Sequence, residues 1–440
     1  MERIRTVELA ASLVGQRVRL AGWLHSLRRL GGVSFLTLRD GRGTAQAVFT
    51  AESTLGAITE GGLRPETVLQ IEGTVAAAPP SNRAGPPAYE LHAPSLAVLS
   101  PVTAEPPVAL GKRELRAPLP TLLDHAVVAN RHPARKAVFR LVAGAMAGFR
   151  ATLGAQGFTE VQTPKIVGQA TEGGANVFEL SYFGGPAYLA QSPQFYKQIM
   201  VGVFERVFEV GPVFRAEPSQ TIRHLAEYVS LDVEMGFIQS HQTVMALLRE
   251  VLAGIFAELA RGYAPELAAL GVALPEVPGV IPQLHFEEAQ SLITARTGEV
   301  TAGEPDLSPA GERALGEWAR EAHGSEWLFV TGYPMRKRPF YTHGDPLRPE
   351  HSNSFDLLFR GTELVTGGQR LHRYEDYVTA LAARGIAREP LEWYLAAFKH
   401  GMPPHGGFAI GLERFVMQTL ALANVRLVAL FPRDTGRLAP

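Results

Sequence analysis

Residues 214–234 read FRAEPSQTIRHLAEYVSLDVE. Phe214-Arg215-Ala216-Glu217 closes one strand, a polar loop carries Arg223 and His224, and a second strand ends in Asp232 and Glu234. Two strands joined by a cation-rich loop can wrap a polyanion such as a triphosphate, because guanidinium groups donate forked N–H bonds to phosphate oxygens. A solvated hairpin with surface ion pairs would carry the same residue types. Further strand patterns lie at Phe158–Gln162, Ala187–Gln191, Val207–Arg215, Ser230–Phe237, 354–366 and 406–411. They follow one another as hairpins more often than as βαβ units, so the pattern predicts an α+β fold with an antiparallel sheet flanked by helices.

Working outward, the spacing of Val138, Leu141, Val142, Ala145, Phe149 and Leu153 predicts a helix over 133–157, closed by Gly157. Helical patterns recur at 241–262 and at Glu413–Leu422, whereas 263–325 is Ala/Gly/Pro-rich and matches no template. Upstream, residues 101–120 carry five prolines and few large apolar groups, a linker signal. Before them, Arg17–Leu24, Val33–Arg39, Thr44–Phe49, Val68–Ala76 and Ala88–Ser100 read as strands. Gly31-Gly32, Asp40-Gly41 and the proline-rich stretch Pro79–Pro87 punctuate them. Five short strands suggest a five-stranded barrel of the oligonucleotide-binding (OB) type, although a small sandwich gives the same pattern. The expected organisation is a barrel domain at 1–103, a hinge at 104–130 and a main domain at 131–440 with a small insertion near 263–325.

The 440 residues are 46% hydrophobic and 19% charged, with a net charge of −1, so the chain is globular and no polycation. A nucleic-acid contact would need a local basic face; residues 1–50 offer one, with eight arginines against three acids. The absence of cysteine excludes disulfides, thiolate zinc sites and a cysteine nucleophile, and fits a cytoplasmic protein. The N-terminus lacks the apolar core of a secretory signal, and no stretch of about 18 apolar residues predicts a membrane span. Neither a GxxxxGK[ST] loop nor HExxH occurs.

Two more clusters carry chemistry. In SFDLLFRGTELVTGGQR (354–370), Asp356 and Glu363 stand seven apart, with Thr366 and Arg370 beyond. On one flat strand that spacing puts the carboxylates on opposite faces, so a bulge or bend is expected if both serve one site. Carboxylates beside a phosphate site suit Mg²⁺, which prefers oxygen ligands. Gly411-Leu412-Glu413-Arg414 is a strand-to-helix turn carrying an arginine, in function either a site or a capped surface helix.

FRAE with RHLAE and LDVE resembles motif 2 of the class II aminoacyl-tRNA synthetases, GLER resembles motif 3, and FTEVQTPKI with Pro164 resembles motif 1. QSPQFYKQ (191–198), GGQR (367–370), GMPPHGG (401–407) and FPRD (431–434) are similar to aspartyl-tRNA synthetases. The short segment between motifs 2 and 3 resembles the archaeal-type subgroup. The resemblance implies an ATP-dependent aspartate–tRNA ligase that works with Mg²⁺, tRNA(Asp), ATP and L-aspartate, as a homodimer built on motif 1. It assigns Arg215, Glu363 and Arg414 to catalysis. Arg215, Glu217, Arg223, His224, Leu225, Tyr228, Glu363, Gly411, Leu412, Glu413 and Arg414 would bind ATP. Glu172, Gln194, Lys197, Arg215, Asp232, Thr366 and Arg370 would bind aspartate, and Glu363 with Thr366 or Asp356 would hold Mg²⁺. On residue type alone Lys197 is a surface lysine of the helix after QSPQ; the resemblance makes it, with Arg370, the cation pair that selects a negative side chain, held by Asp232.

In the barrel, Phe35, Gln46, Glu90 and Arg28 match anticodon-reading positions, although alternation alone would equally place Phe35 in the core. His25 stands where strictly specific relatives carry tryptophan, and Pro86 or Pro87 matches a proline of relaxed-specificity relatives. Together they imply charging of tRNA(Asn) as well, with a separate amidotransferase converting the product. His343 in RPFYTHG is a further candidate near the substrate. Against a nucleic-acid binder with a decayed core stand Arg215, Glu217, Glu363 and Arg414 together. The barrel opposes an ammonia-using asparagine synthetase. Lys197 opposes an asparaginyl enzyme, and Lys197 with Arg370 opposes a lysyl one.

Overall fold

Alternation in the first hundred residues becomes five strands: β1 (Arg17–Leu30), β2 (Val33–Arg39), β3 (Thr44–Phe49), β4 (Val68–Ala77) and β5 (Tyr89–Ser100). The computed structural model describes residues 2–50, 63–79, 88–112, 114–169, 177–218 and 221–440, in two units, Met1–Pro133 and Ala134–Pro440. The first unit closes as a barrel in the order β1-β2-β3-β5-β4. Every second side chain turns inward, so Leu20, Leu36, Leu38, Ala47, Ile71 and Leu91 form its core. β1 runs six residues past the alternating stretch, because a bulge between Leu24 and Ser26 resets the register and so breaks the period of two. Within the expected hinge, Leu119–Asp124 and Ala126–Ala129 are short helices, with a proline in the first turn of the former, where its missing N–H costs nothing.

The second unit is built on an eight-stranded sheet. Its strands are β6 (Thr159–Glu160), β10 (Arg206–Phe214), β11 (Glu227–Gly236), β12 (Gln283–His285), β13 (Trp327–Thr331), β14 (Ser354–Phe359), β15 (Thr362–Gln369) and β16 (His405–Gly411). They run in the order β12-β13-β14-β15-β16-β11-β10-β6. The six central strands are antiparallel, and the edge pairs β12–β13 and β10–β6 are parallel. A separate three-stranded sheet holds β7 (Ile166–Val167), β9 (Gly185–Leu189) and β8 (Glu179–Tyr182).

Period two along β11 decides what the sheet does. Leu231, Val233 and Met235 belong to the apolar core; Ser230, Asp232 and Glu234 occupy the opposite face. The core side is covered by helix His241–Gly262, through Val244, Leu248, Val251 and Ile255, and by helix Pro133–Ala155, through Leu141, Ala145, Phe149 and Leu153. The latter helix is long and apolar enough to cross a membrane by composition, although Arg140 and Arg150 interrupt its apolar run. Its apolar residues are instead spent in the core.

Residues 263–325, unassigned from sequence, fold as helices Ala264–Leu270, Phe286–Thr297 and Pro309–His323 plus β12. They extend the sheet edge, and their apolar residues Phe286, Ile293 and Leu315 pack with Leu328, Val330 and Leu358. Helix Pro309–His323 lies so close to the β14–β15 turn that a Cβ on Gly316 would stand 2.4 Å from the Gly361 Cα and 2.6 Å from its nitrogen. Gly316→Ala gains about 1 kcal/mol in helix propensity, but a backbone clash of this depth costs about 1–3 kcal/mol. Denaturant unfolding of the full chain followed by helical circular dichroism should show a net loss of stability for the variant; an unchanged or higher midpoint contradicts this packing.

Candidate functional site

Helix Gln194–Phe204 crosses the polar face of the sheet and brings Lys197 down onto β11. Lys197 is only 2% exposed. Its Nζ lies 3.0 Å from Asp232 Oδ1 and 3.4 Å from Glu234 Oε2, and it donates to the carbonyls of Phe408 and Val233 at 3.3 and 3.4 Å. Arg370, just past the end of β15, donates through Nε to Glu234 Oε1 at 3.0 Å and through Nη2 to the Gly407 carbonyl at 3.1 Å. Ser230 donates to the second oxygen of Asp232 at 2.5 Å. Burial alone would raise the Glu234 carboxyl, but Arg370 and Lys197 more than offset it and hold it below the usual range. Gly407 is required beneath this pair: a Cβ there would stand 2.0 Å from the Val233 carbonyl oxygen and 2.3 Å from Glu234 Oε2.

These cations open into a cavity of about 350 Å³. Lys197, Arg215, Arg223, Arg338, Arg370 and Arg414 line it, against Glu217, Glu363 and Glu413. Lys197, Arg370 and Arg338 are matched by Asp232, Glu234 and Asp356 beneath the cavity, so the space suits anions through its many N–H donors and not through net charge. The loop between β10 and β11 supplies Arg223 and His224. Arg215 stacks over Tyr228 at 5.8 Å, and His224 lies 3.4 Å from Glu217. Burial depresses the His224 imidazole, and Arg414, Arg223 and Arg215 add to this against the pull of Glu217. At the start of helix Leu412–Thr419, Glu413 accepts the Val229 N–H at 3.1–3.2 Å. Burial pushes its carboxyl up to about 7.

On the β14–β15 hairpin, the Thr366 hydroxyl donates to Glu363 at 3.3 Å, and both residues line the cavity. Asp356 and Glu363 sit on neighbouring strands, not on one, and a bulge between Leu357 and Leu358 shifts their register. Asp356 is 2% exposed, bonds Arg338 at 2.9 Å, and stands behind the cavity wall. Burial and nearby Glu363 push it up to about 6, against the pull of Arg338.

Residues 119–435 match the family of class II tRNA synthetases for D, K and N, and residues 18–99 match the OB-fold nucleic acid binding domain. The chain is a class II tRNA synthetase. It is 46% identical to an aspartate–tRNA(Asp/Asn) ligase of Thermus thermophilus, over 97% of both chains. It is 37% identical to an aspartate–tRNA(Asp) ligase of Pyrococcus abyssi, over 98% of both. Among solved structures it is similar to the asparaginyl-tRNA synthetase of Pyrococcus horikoshii with asparaginyl-adenylate, at 30% identity, a TM-score of 0.91 and full coverage of both chains.

Of the synthetase residues expected from sequence, the cavity gathers Gln194, Lys197, Arg215, Glu217, Arg223, His224, Leu225, Tyr228, Glu363, Thr366, Arg370, Gly411, Glu413 and Arg414. Asp232 lies beneath Lys197. The Leu412 side chain does not line the cavity; it is fully buried in the apolar core. Asp356, expected as an alternative to Thr366 beside Glu363, is taken by Arg338. Glu172 and Pro86 lie outside the described residues. Gln194 Oε1 accepts from Arg370 at 3.4 Å, and its Nε2 is buried without a partner among the described residues. In this orientation Gln194 offers a donor to the cavity, suited to a carboxylate oxygen. His343 is not a lining residue; its neighbours Thr342 and Tyr341 are.

In the barrel, Phe35 faces away from the core formed by Leu36 and Leu38. It pairs across the strands with Arg28 and Val48. Gln46 donates to Glu90 at 2.9 Å, and Glu90 meets His92 at 2.7 Å. His25 occupies the β1 bulge, the device that turns a side chain out of register.

Sequence reasoning gave no site role to Glu234, Arg338 or Glu312. The i, i+2 spacing of Asp232 and Glu234 on a strand was the available signal for the first. Glu312 comes from the unassigned segment and accepts the Glu363 N–H at 3.0 Å; nothing local in its sequence marks it.

Removing the Lys197 ammonium leaves two buried carboxylates short of a counter-charge, which costs about 3–5 kcal/mol. Lys197→Ala should lower kcat/KM for aspartate in pyrophosphate exchange about 10²- to 10³-fold; near-native exchange by folded variant contradicts a role for the pair. Glu413 gives a pH prediction for stability. Its folded carboxyl titrates near about 7, above its ordinary 4.5, so the stability from its neutral form is complete below 4.5 and is lost as pH rises through about 7. The melting temperature of the wild type relative to Glu413→Gln should therefore fall between pH 4.5 and 7 and level off above, whereas parallel curves would remove Glu413 as the cause.

Proposed function

We propose that this protein is an aspartate–tRNA ligase that activates L-aspartate with ATP and charges both tRNA(Asp) and tRNA(Asn). The observation that carries this reading is the buried pair Lys197 and Arg370, sharing Glu234 in a cavity that also holds Arg215, Arg223, His224 and Arg414. A dicarboxylic acid and a triphosphate repel each other, and this arrangement sets cationic and hydrogen-bond donor groups on both sides of the place where they would meet.

In the first step an oxygen of the aspartate α-carboxylate attacks the α-phosphorus, and the bond to the bridging oxygen of the β-phosphate breaks, releasing pyrophosphate. Arg215 bridges the carboxylate and the α-phosphate. Tyr228 and Arg414 sandwich the adenine, Glu217 accepts from its amino group, and backbone around Gly411, Leu412 and Glu413 seats the ribose. Arg223 and His224 hold the distal phosphates. In the second step the terminal ribose hydroxyl of tRNA attacks the acyl carbon and AMP leaves. Positioning and charge compensation suffice, so no side chain acts as nucleophile.

Aspartate and asparagine have nearly the same shape. Lys197 and Arg370 present N–H donors, so the amide NH2 of asparagine would face donors where a carboxylate oxygen of aspartate finds a partner, a penalty of several kcal/mol. Glu363 and Thr366 are oxygen donors beside the phosphate-binding cations, and among the described residues no group of three or more His, Cys, Asp or Glu forms a metal cage. Few protein ligands suit Mg²⁺, which keeps waters and substrate phosphates in its shell. Glu363 and Thr366 would hold it, and bound there it neutralises charge on the phosphates.

Residues 1–103 form the anticodon reader, with Phe35 stacking on a base and Arg28, Gln46 and Glu90 beside it. Turning Phe35 out of the barrel core supports this. His25 at the bulge supports relaxed tRNA choice, in line with the Thermus relative. The working form is a cytoplasmic homodimer through the motif 1 segment, and its asparagine-tRNA product passes to an amidotransferase. Aminoacylation with two amino acids and two tRNA transcripts tests the proposal: aspartate should be attached to both tRNAs and asparagine to neither. No product with tRNA(Asn) ends the dual reading and leaves the tRNA(Asp) ligase; no aspartate on either tRNA ends both.

A further inference from the structure

FPRD (431–434) lies outside the cavity, and the chemistry above gives it no part. Its contacts do. The loop that carries Arg223 and His224 is gripped from outside by residues 424–434. The Val425 N–H donates to the Ile222 carbonyl at 2.8 Å, and the Ala226 N–H donates to the Arg433 carbonyl at 2.8 Å. Arg426 donates through Nη1 to the Thr221 carbonyl at 3.0 Å, while its Nε donates to Asp434 Oδ2 at 2.6 Å. Arg426 is 7% exposed, and the Asp434 carboxyl is held below its usual range, Arg426 outweighing the effect of burial. Anchors therefore sit on both sides of Arg223 and His224: at 221 and 222 before them, at 226 after them.

Inside the loop, Arg223 meets Glu312 only at 3.7 Å, whereas His224 is held from its own loop by the Thr221 hydroxyl, 2.6 Å from Nδ1. Arg223 can turn toward an incoming triphosphate, and Thr221, whose carbonyl Arg426 grips, orients His224. An unanchored loop would lose backbone entropy on ordering around ATP; the grip removes that cost in advance.

We infer that Asp434 and Arg426 are positioning residues for nucleotide binding: the FPRD segment clamps the phosphate-binding loop and pre-sets Arg223 and His224 for the distal phosphates of ATP. The inference rests on the reading of Arg223 and His224 as phosphate ligands. Lys197 and Arg370 are carried by other elements, so the clamp acts on ATP and not on aspartate.

Pyrophosphate-exchange kinetics and hydrogen–deuterium exchange on the full-length protein test this. Asp434→Ala should raise KM for ATP about tenfold with KM for aspartate within about twofold of wild type, and should speed deuterium uptake in residues 221–227. Asp434→Asn, whose amide oxygen still accepts from Arg426, should restore KM for ATP to within about threefold. Arg426→Lys, which cannot serve Asp434 and Thr221 together, should behave like Asp434→Ala. An unchanged KM for ATP in both Asp434→Ala and Arg426→Lys overturns the clamp. So does a parallel rise of both KM values with a lowered melting temperature, which marks a purely structural role. Faster loop uptake without any change in KM for ATP keeps the mechanical contact but removes Arg223 and His224 as phosphate ligands, and with them this inference; the aspartate reading, which rests on Lys197 and Arg370, survives.

Discussion

Four buried charges organise the catalytic unit: Lys197 and Arg370 facing Asp232 and Glu234. Each would cost several kcal/mol to bury alone, and the set is tolerable because every member has an opposite charge within 3.0–3.4 Å. The pairing fixes more than charge. It pins helix Gln194–Phe204 to β11 and ties the end of β15 to the same strand, so one wall of the cavity cannot shift without separating ions in a low dielectric. Behind it, Gln198, Tyr377, Tyr394 and His405 form a hydrogen-bonded layer at 2.9–3.2 Å. Burial holds the His405 imidazole down at about 4, so it stands neutral beside Arg370 and adds no third cation to the set.

The other wall is softer by design of its parts. Arg215, Arg223 and His224 are partly exposed, meet Glu217 and Glu312 at 3.4–3.8 Å and are carried by the β10–β11 hairpin, while Arg414, at a helix start, donates to the Glu363 carbonyl at 3.4 Å. On the roles proposed for these side chains, a rigid site for the acid beside adaptable groups for the phosphates suits a reaction in which a small amino acid must be selected strictly and a large nucleotide must enter and leave as two pieces. Selection needs fixed, desolvated charges; exchange of pyrophosphate needs cations that can move.

Much of this was legible along the chain. The barrel strands show period two because one face is buried, and the hairpin around 214–234 places its cations in a loop for the same local reason. Alternation failed at β1, where the bulge at His25 breaks the period, and at 354–366, where Asp356 and Glu363 fall on two strands and not one. Residues 263–325 matched no single template, because three helices and the short strand β12 follow one another there, and Ala, Gly and Pro are frequent among the few large apolar residues, Phe286, Ile293 and Leu315, that reach the core. Glu312 and Arg338 reach the site's surroundings from such segments, and no local rule could have announced them.

Composition and spacing by themselves determined the kinds of groups present and which strand faces they share: a cysteine-free chain, an alternating barrel, and a β11 strand with Ser230, Asp232 and Glu234 on one side. They could not determine that Lys197 is buried, since a lysine on an amphipathic helix ordinarily faces water. Only the packing of that helix over β11 made it an internal cation, because two carboxylates on the sheet and two backbone carbonyls replace the water an ammonium group leaves there. Tertiary structure likewise sent Leu412 to the core and Asp356 to Arg338, since side-chain direction depends on which neighbour covers each face.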